Sequence, residues 1–247
     1  VVEQRQSPPP LAIARLGGAM YLIIIVLGLF SEVFVRQRLI IANDALATAA
    51  NIRAHELLWR WSVASELLSL ICVTVLMLTW LALLRPVSRD LTWLAIFFSL
   101  TAHAVGAVSL IDTLATLFPL TDAPYLHAFT AEQLAALARL TIRERAHAYG
   151  VSLLLSGCFF LIAGPLIFRS GYLPRLIGVL YTIAGVGYVV HTFVLVLAPA
   201  IADRTLMIAG GPILIGEASL SLYLLIKGVD VAGWNRRASA TLRESPC

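Results

Sequence analysis

Six predominantly apolar stretches follow one another along this chain, each reaching the ~20 residues that an α-helix needs to cross the hydrocarbon of a bilayer. They cover about residues 16–41, 57–84, 91–118, 146–168, 174–197 and 206–226. Lipid offers the backbone no hydrogen-bond partner, so such stretches have to satisfy their own N–H and C=O groups, and helices do so within one segment. Composition points the same way. Of 247 residues, 60% are hydrophobic and 13% charged, with a mean hydropathy of +0.88. Soluble domains run near 45–50% apolar and about 25% charged. The fold class predicted is an all-α polytopic membrane helical bundle of six transmembrane helices. A short amphipathic helix is expected between spans three and four.

Turn chemistry divides the chain. Residues 1–11 form a polar lead containing Pro8, Pro9 and Pro10, expected to be disordered, and 12–230 form a single transmembrane domain. Residues 231–247 are a basic tail expected in the cytoplasm. The first apolar run is followed by Glu32, Arg36 and Arg38 rather than by small residues, so it is expected to stay as a helix instead of being cleaved as a signal peptide. Asn43 and Asp44 open a polar, alanine-rich stretch reaching Glu56. Arg85 and Pro86 stop the second span. Thr130 and Gln133 match a capping box, which starts a helix at Ala131, either interfacial or an outward extension of span four. Gly171 and Pro174 make a tight turn, with glycine in the left-handed conformation and proline opening the next helix.

The formal charge of +4 does not indicate nucleic acid, because the basic residues flank apolar spans instead of lining one stripe. With the N-terminus inside, ten basic residues fall on inner segments and eight on outer ones, a small excess that favours cytoplasmic termini. Cys72, Cys158 and Cys247 show no metal or redox spacing and are read as packing residues and a tail thiol.

An ionised group at the bilayer centre costs roughly 2.5–3.5 kcal/mol or more, so polar residues within the spans must face the bundle interior or a wet cavity. Glu66, His103, His191 and Glu217 fall near the midplane or in the half predicted to face outward, and Glu32, Arg36, Arg60 and Asp112 rim that half. Helical spacing puts Ser62, Glu66 and Ser69 on one face, Ser99, His103 and Gly106 on another, Ser152 with Ser156 on a third, and Glu217 with Ser221 on a fourth. Facing one another, these stripes would line a ligand-binding pocket open toward the outside. Structural readings stand beside each functional one. Glu32 and Arg36, four apart, pair with each other. Glu66 and Glu217 serve equally well as packing glue through neighbouring serines. The glycine-rich runs at 185–188 and 209–212 are close-packing or bending sites rather than phosphate loops. No cofactor or metal is predicted; a haem held between His103 and His191 is the weaker alternative.

The runs SEVFVR at 31–36, AEQLAALA at 131–138, AHAYG at 146–150, FRSGYLPRLIGVLYTIAGVGYV at 168–189 and GEASLSLYLLIKGV at 216–229 resemble, in order, a bacterial family of multi-pass membrane proteins named as a domain of unknown function, DUF4386. The resemblance spans about residues 12–230. It implies a six-helix protein of one domain in the bacterial cytoplasmic (inner) membrane, with Glu32, Arg36, Glu217 and the 169–175 turn as family-like positions. It brings no activity, so no catalytic residue is carried over.

Four function classes remain. The favoured one is a binding or accessory protein that holds a small amphiphile, a lipid or a partner helix. The expected partners are the bilayer itself, other membrane subunits and a hydrophobic small molecule. Next comes an intramembrane acid/base enzyme acting on a lipid-soluble substrate through Glu66 or Glu217. A proton-coupled transporter or a haem electron-transfer subunit follows; no internal repeat supports the transporter.

Overall fold

The computed structural model describes residues 10–243, so the first nine residues of the expected lead and the end of the tail with Cys247 lie outside the described residues. Among them the elements are helical throughout, with no strand. The helices are α1 (Pro10–Leu39), α2 (Ala45–Ala54), α3 (Glu56–Leu84), α4 (Arg89–Ala115), α5 (Ala131–Ser170), α6 (Arg175–Leu197), α7 (Ala202–Ile226) and α8 (Val231–Arg243). Short 3-10 turns occupy Phe118–Leu120, Pro124–Ala128 and Pro199–Ile201.

Five of these helices are long and apolar enough to cross a membrane: α1, α3, α4 with its following turn, α5 and α6. A sixth crossing is counted when Gly210–Ile226 and Val231–Ala240 are taken together, and these two are bent 99° from each other. Lipid is visible as solvent in the burial pattern. Ile71 and Leu78 on α3 and Val196 on α6 are about two-thirds exposed, the reverse of a water-soluble core.

Local chemistry explains most helix ends. Thr130 and Gln133 exchange hydrogen bonds, the threonine N–H donating to Gln133 Oε1 at 2.8 Å and the Gln133 N–H to Thr130 Oγ1 at 3.3 Å. The helix they start does not stop before span four. It runs 40 residues to Ser170, so of the two alternatives the structure takes the outward extension. Gly171 closes it at φ 78°, and Pro174 caps α6. α2 fills the stretch read from sequence only as polar and alanine-rich; Asp44 starts it by accepting from the Ala47 N–H at 2.8 Å.

The described chain divides into two compact units, and the boundaries fall inside α1, α3, α4 and α5. Unit one comprises Val1–Leu22, Val73–Leu100 and Leu154–Cys247. Its interior is aromatic: Phe160 lies 4.7 Å from Tyr181 and 5.3 Å from Phe159, and Trp80 sits 5.9 Å from both Phe159 and Tyr181. The α5–α6 contact is a glycine seam. A Cβ on Gly178 would come within 2.7 Å of the Gly164 carbonyl oxygen and the Phe168 N, and one on Gly185 within 2.9 Å of the Gly157 oxygen. Small residues here let the backbones touch, which is how helices gain packing without a hydrophobic driving force.

Unit two comprises Ile23–Cys72 and Thr101–Leu153. Its core gathers Val35, Leu39, Ile52, Trp59, Leu117 and Ala138. The buried Trp59 Nε1–H donates to the Thr113 carbonyl at 2.8 Å, and Arg53 Nε–H to the Leu120 carbonyl at 3.2 Å. Gly106 and Ser152 meet here, a Cβ on the glycine lying 3.1 Å from Ser152 Oγ.

Candidate functional site

Between Phe30 and Arg36 the α1 backbone widens into a π-helix. Such segments are rare and gather at functional sites. This one presents Ser31, which lies fully buried against α3: its Oγ is 3.0 Å from the Ser62 carbonyl and 2.7 Å from Ser65 Oγ. The serine contact joins α1 to α3, and the charged residues meet between the same two helices.

Arg36 donates through Nε to Glu32 Oε2 at 2.9 Å and through Nη2 to Glu66 Oε1 on α3. Arg145 enters from α5, its Nη2 3.6 Å from Glu32 Oε2 and 3.9 Å from Glu66 Oε1, and its guanidinium lies 5.5 Å above the Tyr149 ring. Two cations and two anions balance, which is what a low-dielectric site demands. Exposure is graded: the side chains of Arg36 and Arg145 are 5% and 10% exposed, that of Glu66 17%, and that of Glu32 49%. Both arginines keep a donor in reserve. Arg36 Nη1 and Arg145 Nε are buried and have no hydrogen-bond partner. Buried polar atoms are nearly always satisfied, so these two nitrogens call for an acceptor oxygen that the described residues do not supply.

Unit one has a polar group of its own. Glu217 Oε1 on α7 accepts from the Tyr188 hydroxyl at 3.2 Å, and Tyr181 donates to the Tyr21 hydroxyl at 2.8 Å. Tyr21 in turn is close enough to the Glu217 carboxylate to interact with it. One turn further, Ser221 donates to the Gly18 carbonyl at 3.0 Å, tying α7 to α1.

The residues singled out from sequence thus divide by unit. Glu32, Arg36, Arg60, Ser62, Glu66, Ser69, His103 and Asp112 belong to unit two, and His191, Glu217 and Ser221 to unit one. The Glu32–Arg36 pair forms as its spacing suggests. Glu66 takes its partner from α1, and Ser69 donates to the Ser65 carbonyl at 3.1 Å. Arg60 pairs with Glu56 at 2.7 Å on the exposed surface. His191 Nδ1 lies 3.1 Å from Thr205 Oγ1. Among the described residues, no group of three His, Cys, Asp or Glu side chains is placed to hold a metal.

Residues 16–228 match the family described as a domain of unknown function, DUF4386. The match covers most of the chain. It belongs to the DUF4386 family. No curated protein and no solved structure matches it. For this DUF4386 protein the site must therefore be argued from its own side chains.

Two participants escaped the sequence reading. Arg145 looked like a topological charge beside Arg139 and Arg143, and Tyr149 like part of an apolar span. The signal was the unbroken helical pattern from Ala131, which carries Arg145 into the fold instead of leaving it in a loop. The Ala146–Gly150 run of the family resemblance, beginning one residue later, pointed to the same place.

Chemically, the cluster can recognise better than it can react. Its carboxylates are already engaged in ion pairs with guanidinium groups, which leaves little room for them to act on a substrate. What it offers a ligand is a half-exposed carboxylate, a half-exposed phenol ring and two guanidinium nitrogens without acceptors.

Proposed function

We propose that this protein is a binding or accessory protein of the bacterial inner membrane that holds an amphiphile, most simply a lipid, by its polar head at Glu32, Arg36, Glu66 and Arg145. The observation that carries this reading is the pair of buried guanidinium nitrogens without acceptors in a cluster otherwise neutralised by its own carboxylates. A headgroup oxygen reaching Arg145 Nε and Arg36 Nη1 would complete them, while its apolar chain follows the lipid-facing surface of the same helices. The reading involves no cofactor and no bond-making step. The end carrying the 171–174 turn and the C-terminal helix is taken to face the cytoplasm, in line with the excess of basic residues on that side.

The test is lipid analysis of the purified protein. Wild type, Arg145→Met and the surface control Glu56→Gln are extracted in parallel, and retained lipid is quantified by mass spectrometry. Removing a charge-assisted hydrogen bond, worth about 1.5–3 kcal/mol, should lower retention roughly tenfold or more in Arg145→Met and leave the control unchanged. Equal retention in all three would overturn the reading.

A second reading draws on unit one. Glu217, Tyr188, Tyr21 and Tyr181 form a chain of groups that can each donate and accept, as proton transfer in an enzyme or a proton-coupled carrier requires. Glu217→Gln keeps the shape and removes the proton site. Proton uptake by wild-type proteoliposomes that vanishes in this variant would favour the second reading over the first.

A further inference from the structure

One end of unit one is built as a platform. The Tyr172 hydroxyl, in the turn between α5 and α6, donates to the Leu83 carbonyl at the end of α3. The Asp230 N–H reaches the Tyr172 carbonyl at 3.4 Å, and Gly233 sits so close to Tyr172 that an added Cβ would lie 3.3 Å from the tyrosine Cβ. Gly228, at φ 76° and packed on Leu11 of α1, turns the chain out of α7. After that turn α8 leaves at 99° to the last apolar segment. Taking Gly210–Ile226 by itself as the last crossing, a helix perpendicular to it runs along the membrane surface.

The side chains of α8 divide as a surface helix requires. Gly233, Trp234 and Ala238 form the less exposed face, and Arg236 and Arg237 are exposed. The loops brought to the same end add Arg85, Arg89, Arg169, Arg175 and Lys227, all exposed. Among the described residues the carboxylates there are Asp90 and Asp230, the latter 4.0 Å from Arg236. Positive charge is therefore in clear excess over one end of the unit, and arginine beside tryptophan is the usual composition of an interfacial helix.

We infer that this end is a docking surface for anionic phospholipid headgroups, with α8 lying in the interface and Arg236 and Arg237 among its contacts. Charge complementarity selects the occupant: each basic residue near an anionic leaflet favours contact by about fivefold. The inference is independent of the cluster in unit two. It adds an attachment that holds the C-terminal helix against the bilayer, and it ties the state of that helix to lipid composition and ionic strength.

The full-length protein in nanodiscs tests this, with amide hydrogen exchange read across the 231–240 segment. Discs of phosphatidylcholine alone are compared with discs containing phosphatidylglycerol. Exchange in the segment should slow on adding phosphatidylglycerol, and raising the salt should reverse this by screening. Combining Arg236→Gln and Arg237→Gln should shrink the difference by roughly 25-fold, at about fivefold for each residue. Exchange in α5 and α6 reports whether the variant is folded, and the salt titration of the wild type stands even where it is not. Identical exchange in the two kinds of disc, whether from indifference to lipid or from an acidic protein occupying the surface, would overturn the inference.

Discussion

Arg36 shows what a single residue contributes here. Its side chain is almost wholly buried, and its charge is tolerable only because Glu32 and Glu66 both reach it. Glu66→Gln removes one anion and leaves the guanidinium under-compensated, which should cost about 3 kcal/mol, read as a lowered midpoint of thermal unfolding in detergent. Glu56→Gln breaks an ion pair that is about half exposed, so the same measurement should move by well under 1 kcal/mol. Replacing Arg36 and Glu66 together by methionine is more informative. Buried pairs exchanged for apolar residues are often neutral or stabilising, so the double variant should melt close to wild type. A stable double variant that has also lost its lipid would show that the pair is kept for recognition rather than for folding. At this scale the sequence was partly readable. The i, i+4 spacing announced Glu32 with Arg36, but nothing in a linear pattern reports how α1 and α3 are rotated toward each other, so the Glu66 partner could not be named.

Among the elements, α5 and α6 depend on backbone contact. Gly178→Val would drive a side chain into the Gly164 carbonyl and the Phe168 backbone, neither of which can swing aside, and should destabilise by about 2–3 kcal/mol in detergent melts. Gly28→Ala is the contrasting case, since nothing lies within 4 Å of the added Cβ, and relief of glycine's entropy in a helix should gain about 0.5–1 kcal/mol. Opposite signs from two glycines of one protein would identify the seam as the cause. Tyr172 joins elements through a single hydroxyl. Burial pushes its pKa up, so it remains a donor to the Leu83 carbonyl, one of the helix-end acceptors that α3 cannot satisfy internally. Local signals predicted these joints well: Gly171, Pro174 and the Thr130–Gln133 box all act where their chemistry places them. The same kind of signal was available for α2, in Asp44, yet a ten-residue alanine-rich segment lacks the apolar period that announces a helix. The π-helix had no signal in the local pattern; what distinguishes it is a contact with another helix, Ser31 Oγ lying 2.7 Å from Ser65 Oγ on α3.

For the whole molecule, the membrane-embedded all-α fold was legible because lipid imposes a length and an apolar composition on every crossing. Those constraints act on one helix at a time. The charged cluster needs three helices at once, α1, α3 and α5, and Arg145 enters it only because α5 continues unbroken from Ala131. The number of crossings carries the same distinction between local and assembled structure. Five helices qualify singly, while Gly210–Ile226 qualifies only with α8, as a broken span or a re-entrant loop. Substituted cysteines can decide between these. Asp122 lies in the connection between α4 and α5, and Ser239 on α8, and both are exposed. Three crossings separate them when α7 spans, and two when it turns back. In a Cys247→Ser background, a membrane-impermeant maleimide should therefore label one of Asp122→Cys and Ser239→Cys in intact cells and the other only after lysis. Cys72 is buried and Cys158 partly so, both inside spans, which holds the background low. Labelling of both positions from one side would remove the sixth crossing.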